Sequence, residues 1–223
     1  GDLTEGFRER GFLPQAFVNM LALLGWNDGS GQEIFTMDEL IDRFAIDRVH
    51  KGGARFDFEK AKWFNQEWIR KLSPEVLLPY VQEVFSHNGI AATEAQLLRV
   101  IPMVRDRCTL LGDFAEQAGF FFNTPTQYDL PAVQPKWNEA KQSFFEQWSA
   151  SLDGLASWES TVIETSFKAA AEAAGIKTGE LLLPLRVMLV GGKFGPPVFE
   201  IAAFIGREET IHRIRRALPA FLG

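Results

Sequence analysis

This 223-residue chain holds three histidines, one cysteine and one glycine–lysine loop, and these are the residues that could support chemistry unaided. His50, His87 and His212 are far apart, and none stands at metal-ligand spacing from another His or Cys. Each reads as a surface or half-buried histidine rather than a catalytic base. Cys108 lies between Arg107 and Thr109, with Arg105 close by, and two guanidinium groups could lower a thiol pKa. With no partner histidine in the pattern, a buried structural thiol is the better reading. Gly191-Gly192-Lys193 resembles a phosphate loop only loosely, because it lacks the full P-loop spacing and the Ser or Thr after the lysine. A freestanding enzyme would have to use Cys108 or a histidine, and the pattern around them is thin.

Charge placement says more. The whole chain carries 23 Lys and Arg against 29 Asp and Glu, a formal charge of −6, which by itself disfavours a generic nucleic-acid binder. Yet the stretch from Arg186 to Arg216 has six basic residues (Arg186, Lys193, Arg207, Arg213, Arg215, Arg216) against three acidic ones. Arg99, Arg105 and Arg107 stand together against Asp106 alone. Local positive patches on an acidic chain can steer a polyanion to one face. Arginine suits base recognition because its planar fork makes paired hydrogen bonds. Phe194, beside Gly195, could offer a stacking surface to an unpaired base. The plainer alternative is a set of solvated helix faces with ion pairs one turn apart.

The elements that must position these residues are helical. Phe17, Met20, Leu21 and Leu24 recur at helical spacing after Pro14, with Gly25 placed to cap the end. Thr36 and Glu39 have the spacing of a capping box. Asp57 to Leu72 reads as a helix on which Trp63 and Trp68, five apart, face different sides. Ser73 and Pro74 can start the next helix, and Thr93 to Val104 forms another that Pro102 should kink or divide. Asn123 to Pro135, with three prolines, reads as a linker. Beyond it come helical stretches at 137–148, 158–174, 177–189, 198–205 and 208–218, interrupted by the loop Gly191 to Pro197. Continuous β alternation is hard to find, so the fold class is mainly α, in two or three helical units.

Hydrophobic residues at 46% and charged residues at 23% exclude a disordered chain. A single cysteine excludes an intramolecular disulfide framework and fits a reducing compartment. No apolar run approaches the roughly 20 residues that cross a bilayer as a helix. The start, Gly1-Asp2-Leu3-Thr4-Glu5, lacks an initiator Met and the pattern of a signal peptide, so a fragment or a processed chain is expected.

Three blocks in order resemble the bacterial glutamyl-tRNA synthetase family. The first is Gly11-Phe12-Leu13-Pro14-Gln15-Ala16-Phe17-Val18-Asn19, Leu23-Leu24-Gly25-Trp26 and Gln32-Glu33-Ile34-Phe35. The second is Phe56-Asp57-Phe58-Glu59-Lys60 with Trp63, Asn65 and Ile69-Arg70. The third is Leu185-Arg186-Val187, Gly195-Pro196, Phe199-Glu200 and Gly206-Arg207-Glu208-Glu209. The resemblance covers nearly the whole chain and implies a C-terminal, tRNA-binding portion, without the family's Rossmann-type catalytic domain and its signature motifs. It implies a stem-contact helical region at 1–72, a first anticodon-binding subdomain at 73–122, a linker at 123–135 and a second anticodon-binding subdomain at 136–223.

The resemblance also implies roles. ATP and Mg would be used by the parent's missing catalytic domain, with no cofactor and no catalytic residue in this part. The partners would be tRNA(Glu) and that upstream domain, in a cytoplasmic, monomeric enzyme with no membrane association. The pattern Val104-Arg105-Asp106-Arg107-Cys108-Thr109-Leu110 places at Arg107 the arginine that, in discriminating members, reads the third anticodon base. The family's second anticodon contact falls on Gly195, Pro196 and Val198, and here Gly195 replaces a Thr found in some members. Arg99, Arg105, Arg186, Lys193, Phe194 and Arg207 are candidates for RNA backbone or stacking contacts. The rival readings are a helical protein-interaction module without an RNA role, and a nondiscriminating synthetase that also charges glutamine tRNA.

Overall fold

Some helix starts in this chain are set by side-chain caps and others by proline at the first position, as a computed structural model shows. It describes residues 6–53 and 55–222. The chain's first helix, α1 (Pro14–Leu23), begins with proline at its first position, where the missing N–H costs nothing. Thr36 caps α2 (Met37–Arg43) in a full capping box: its hydroxyl accepts from the Glu39 N–H while the Glu39 carboxylate accepts from the Thr36 N–H. Asp57 starts α3 (Phe58–Lys71) by accepting from the N–H groups of Glu59 and Lys60. Next come α4 (Pro74–His87), α5 (Glu94–Val104) and α6 (Asp113–Ala118), with α5 opened by a second capping box, Thr93 with Gln96.

Three local expectations differ from the structure. Ser73 precedes α4 but makes no side-chain cap bond, because its hydroxyl is engaged with the Glu75 carboxylate. Gly25 is not a left-handed cap; Leu24 ends α1 in right-handed geometry, and the Gly25 carbonyl instead accepts from the His50 N–H at 2.8 Å. Pro102 does not divide α5, which runs two residues past it before tightening into a 3-10 turn, Arg105–Arg107. The proline sits one turn from the helix end, so few backbone bonds are at stake.

The remaining helices are α7 (Leu130–Val133), α8 (Glu139–Ser151), α9 (Ser160–Ala173), α10 (Thr178–Val190), α11 (Val198–Ile205) and α12 (Arg207–Phe221). Among the described residues there is no strand, and the only extended pairing is an isolated bridge between Trp26 and Val49. The regular structure of the described residues is therefore all helical.

Two compact units divide the chain, residues 1–117 and 118–223. In the first, α1 packs on α3 and α4 on α5. Phe12, Met20, Ala61 and Phe64 form one core there, ringed by Phe7, Phe17, Phe56 and Phe58. Trp68 is buried and donates through Nε1 to the buried Asn19, whereas Trp63, on the other side of α3, is part exposed. In the second unit α10 is apolar on nearly every face, with Leu181, Leu185, Val187, Met188 and Leu189 all buried, as a central helix must be. Around it, Phe167 joins Phe144, Trp148 and Phe199 through edge-to-face contacts.

The stretch 123–135, expected as a linker, is structured within the second unit. It contains α7, which packs on α10 and α12. Its N-terminal part is held by hydrogen bonds from Thr124 to Glu209 (2.6 Å) and from the Asp129 N–H to the Gly191 carbonyl (2.8 Å). The three prolines shape this stretch without making it an open connection.

Candidate nucleic-acid interface

In the first unit the residues of interest lie on the 3-10 turn that follows α5. Cys108 ends it and is fully buried, with its N–H donating to the Arg105 carbonyl at 3.0 Å. Burial pushes the Cys108 thiol up to about 12, Asp113 adds to the effect, and Arg107 opposes it too weakly to matter. The thiol is thus an anchor rather than a nucleophile, contrary to what two neighbouring arginines alone suggest.

The turn is pinned on both sides. After it, the Asp113 carboxylate accepts from the N–H groups of Thr109 (2.7 Å) and Leu110 (2.9 Å). Buried Asn65 on α3 accepts from the Leu13 N–H at 2.7 Å and donates to the Thr109 carbonyl at 2.7 Å. The Leu111 N–H donates to the Gly11 carbonyl at 2.9 Å. Before it, Arg105 donates to the Leu72 carbonyl at 3.0 Å and is half-buried, so it splints the end of α3. Arg107 is exposed. Its Nη1 donates to the Met103 carbonyl at 3.3 Å, and its Nη2 and Nε have no partner among the described residues. Arg99 lies exposed on α5.

In the second unit the loop between α10 and α11 is organised by one guanidinium. Arg186 donates through Nη1 to the carbonyls of Phe194 (3.0 Å), Gly195 (3.2 Å) and Pro196 (2.7 Å). Three carbonyls turned onto one cation are the reverse of a phosphate cradle, which turns N–H groups inward. In the Gly191-Gly192-Lys193 segment, the Gly191 N–H donates to the Val187 carbonyl at 2.8 Å and Lys193 pairs with Asp129 at 3.3 Å. Each glycine here has a geometric reason. Gly191 takes φ +89° at the end of α10, and a Cβ there would meet the Gln127 carbonyl at 2.7 Å. A Cβ on Gly192 would meet the Phe194 ring at 2.8 Å. Gly195, at φ +99°, would place a Cβ 3.1 Å from Phe120.

The Phe194 ring is 41% exposed and meets Phe120 edge-on at 5.8 Å. Pro196 and Val198 are buried, and the Pro196 carbonyl is taken up by Arg186. Arg207 donates to the carbonyls of Asp153 and Leu155 and lies over the Trp158 ring, so its fork is committed to the fold. Arg213, one of the six basic residues of this stretch, is 1% exposed. It donates to the Phe120 and Leu189 carbonyls and to Glu209. Composition alone could not separate such a buried cation from the exposed Arg215 and Arg216 on the same helix. Among the described residues no three His, Cys, Asp or Glu side chains come together as a metal site, and no helix is long and apolar enough to cross a membrane.

Comparison with known proteins gives these turns a context. Residues 59–218 match the family described as an anticodon binding domain. Residues 3–63 match the catalytic domain of class I tRNA synthetases (E and Q). A glutamate–tRNA ligase of Porphyromonas gingivalis is 40% identical over 98% of this chain and 43% of its own length. That of Christiangramia forsetii is 35% identical over the same shares. The crystal structure of a glutamate tRNA ligase from Elizabethkingia meningosepticum, in complex with its amino acid, superposes with a TM-score of 0.89 at 37% identity. That match takes in 97% of this chain and 43% of the other. The chain thus spans less than half the length of these relatives.

Proposed function

The chain belongs to the anticodon binding domain family, and from that premise we propose that it is the tRNA-recognising part of a glutamate–tRNA ligase. It binds the stem and anticodon loop of tRNA(Glu), and the parent enzyme attaches glutamate to that tRNA using ATP and Mg at sites outside this chain. The parent acts as a cytoplasmic monomer. The identity of the relatives disfavours a protein-interaction module without an RNA role.

Arg107 reads the third anticodon base. The observation that carries this is an exposed guanidinium with uncommitted donors on a turn fixed by buried Cys108 and Asn65 and by half-buried Asp113. A fixed fork costs little ordering when it meets a base. Cytosine offers acceptors to such a donor where guanine presents a ring N–H, so a G at that position sets donor against donor. The preference for the glutamate over the glutamine anticodon follows, at roughly 1–3 kcal/mol for one well-placed contact. In the second unit, the backbone of Gly195, Pro196 and Val198 approaches the anticodon loop, with Phe194 as the adjoining ring. Arg186 acts there by holding the loop. Lys193 and Arg99 supply diffuse attraction for phosphate.

The test uses the full-length parent carrying Arg107→Gln and two tRNAs that differ only at the third anticodon base. The expected result is a loss of roughly 10- to 100-fold in the preference for C over G, read as the ratio of kcat/KM values. An unchanged ratio would remove Arg107 from the reading.

A further inference from the structure

A charge held out of water is costly unless it is paired and hydrogen-bonded. Arg213, on α12, is such a charge, 1% exposed inside the second unit. Its Nε donates to the Glu209 carboxylate at 2.6 Å, and Glu209 accepts in turn from the Thr124 hydroxyl at 2.6 Å. Its Nη1 donates to two carbonyls from distant segments, Phe120 at 2.7 Å and Leu189 at 2.6 Å. Leu189 lies in the last turn of α10, where a carbonyl has no N–H of its own helix to meet. Phe120 lies in the 3-10 turn Gly119–Phe121. One nitrogen therefore ties the end of α10 to that turn. An apolar side chain of similar volume often stabilises as well as a buried ion pair does. It could not hold two carbonyls at set distances.

Both tied segments bear on the loop between α10 and α11. Arg186, three residues before Leu189 on α10, draws in the carbonyls of Phe194, Gly195 and Pro196. The Phe120 ring supports the same stretch. It meets Phe194 edge-on with centroids 5.8 Å apart, and it stands 3.1 Å from where a Cβ on Gly195 would lie. The spacing between α10 and Phe120 thus decides where the Phe194–Gly195 backbone stands, and the Arg213 guanidinium sets that spacing.

We infer that Arg213 is a positioning residue for anticodon recognition: by holding the Phe120 and Leu189 carbonyls together, it fixes the Phe194–Gly195 backbone for the RNA. At 1% exposure it reaches no RNA itself and acts through Phe120 and α10. A backbone fixed in advance loses less freedom when the RNA arrives. The inference rests on the reading that this loop meets the anticodon loop of tRNA(Glu).

The experiment measures charging, by the full-length parent, of two tRNAs that both keep C as the third anticodon base, the one assigned to Arg107. The first carries the other two bases of the glutamate anticodon, and the second has both replaced. Preference is the ratio of their kcat/KM values. Arg213→Met keeps much of the volume and no donor, whereas Arg213→Lys keeps the charge without the planar fork. Trp148→Phe, in the core of the same unit, is the control for lost packing. Thermal unfolding identifies which variants are folded. Preference is expected to fall roughly 10-fold in Arg213→Met and about 3-fold in Arg213→Lys, and to hold in Trp148→Phe. A residue that only stabilises would lower charging of both tRNAs alike. The inference is overturned by an unchanged preference in Arg213→Met, or in Arg213→Lys where Arg213→Met does not fold. An equal fall in Trp148→Phe, or failure of both Arg213 variants to fold, also overturns it. In all these cases a wild-type preference between the two tRNAs leaves the anticodon reading standing. Wild-type enzyme that charges both tRNAs equally defeats that reading, and the inference with it.

Discussion

A guanidinium can read a base or hold a backbone, and its surroundings decide which. Arg186, Arg207 and Arg213 each donate to two or more backbone carbonyls, so their forks are occupied by the fold. Arg105 donates to the Leu72 carbonyl from a half-buried position, whereas Arg107 is exposed and donates to the Met103 carbonyl through Nη1. The same residue type thus serves as splint, clamp and reader within one chain. Cys108 shows the converse, since its neighbours are charged but its environment is dry. With its pKa pushed up to about 12 by burial, the native thiol is expected to stay unlabelled by a maleimide at pH 8 and to react fully once the chain is denatured in urea. Rapid labelling of the native protein would show that the thiol is an exposed thiolate and that the turn is not anchored as described.

At the scale of the element, the loop between α10 and α11 holds its shape through backbone conformation and one buried-side clamp. Gly195 takes a φ that side chains rarely adopt, and it packs against Phe120. Gly195→Ala is therefore expected to cost about 2 kcal/mol, from strain plus displacement of the ring. Gly89 shares a positive φ of +66° but has nothing within 4 Å. Gly89→Ala should cost about 1 kcal/mol, from backbone strain alone. Urea unfolding of both variants checks the difference, and equal losses would mean that the Phe120 contact is not tight. The helix starts are simpler, because Thr36, Asp57 and Thr93 each satisfy the first turn from side chains a few residues away.

At the scale of the whole molecule, each unit has its own means of closure. In the second unit it is the chain from Thr124 through Glu209 to Arg213, which ties the start of the unit to α12 and α10. Burial alone would raise the Glu209 pKa, but hydrogen bonds from Thr124 and Arg213 outweigh it and hold the carboxyl below its usual 4.5. A carboxylate whose folded pKa is depressed adds stability that is complete above its ordinary value and lost as pH falls through the folded one. Thermal unfolding of this unit should therefore move to lower temperature as pH drops below about 4.5, and Glu209→Gln should flatten that acid limb. An unaltered limb would place the acid sensitivity elsewhere.

Much of this was legible in the residues taken in order. Helical period, caps and turn glycines are local, so the sequence by itself determined an all-helical chain, most helix positions and the motif blocks that tie it to its family. The Thr36 capping box and the span of α11 are readable because their causes lie within one or two turns. Tertiary structure decided what those local signals cannot contain. Which arginines are buried depends on carbonyls brought in from distant segments, as Phe120 is brought to Arg213. Whether Cys108 is a nucleophile depends on desolvation by its surroundings, and whether 123–135 is a linker depends on α10 and α12 packing over α7. Charge and composition are sums over sequence, whereas burial and hydrogen-bond partnership are properties of position in space, and only the fold assigns them.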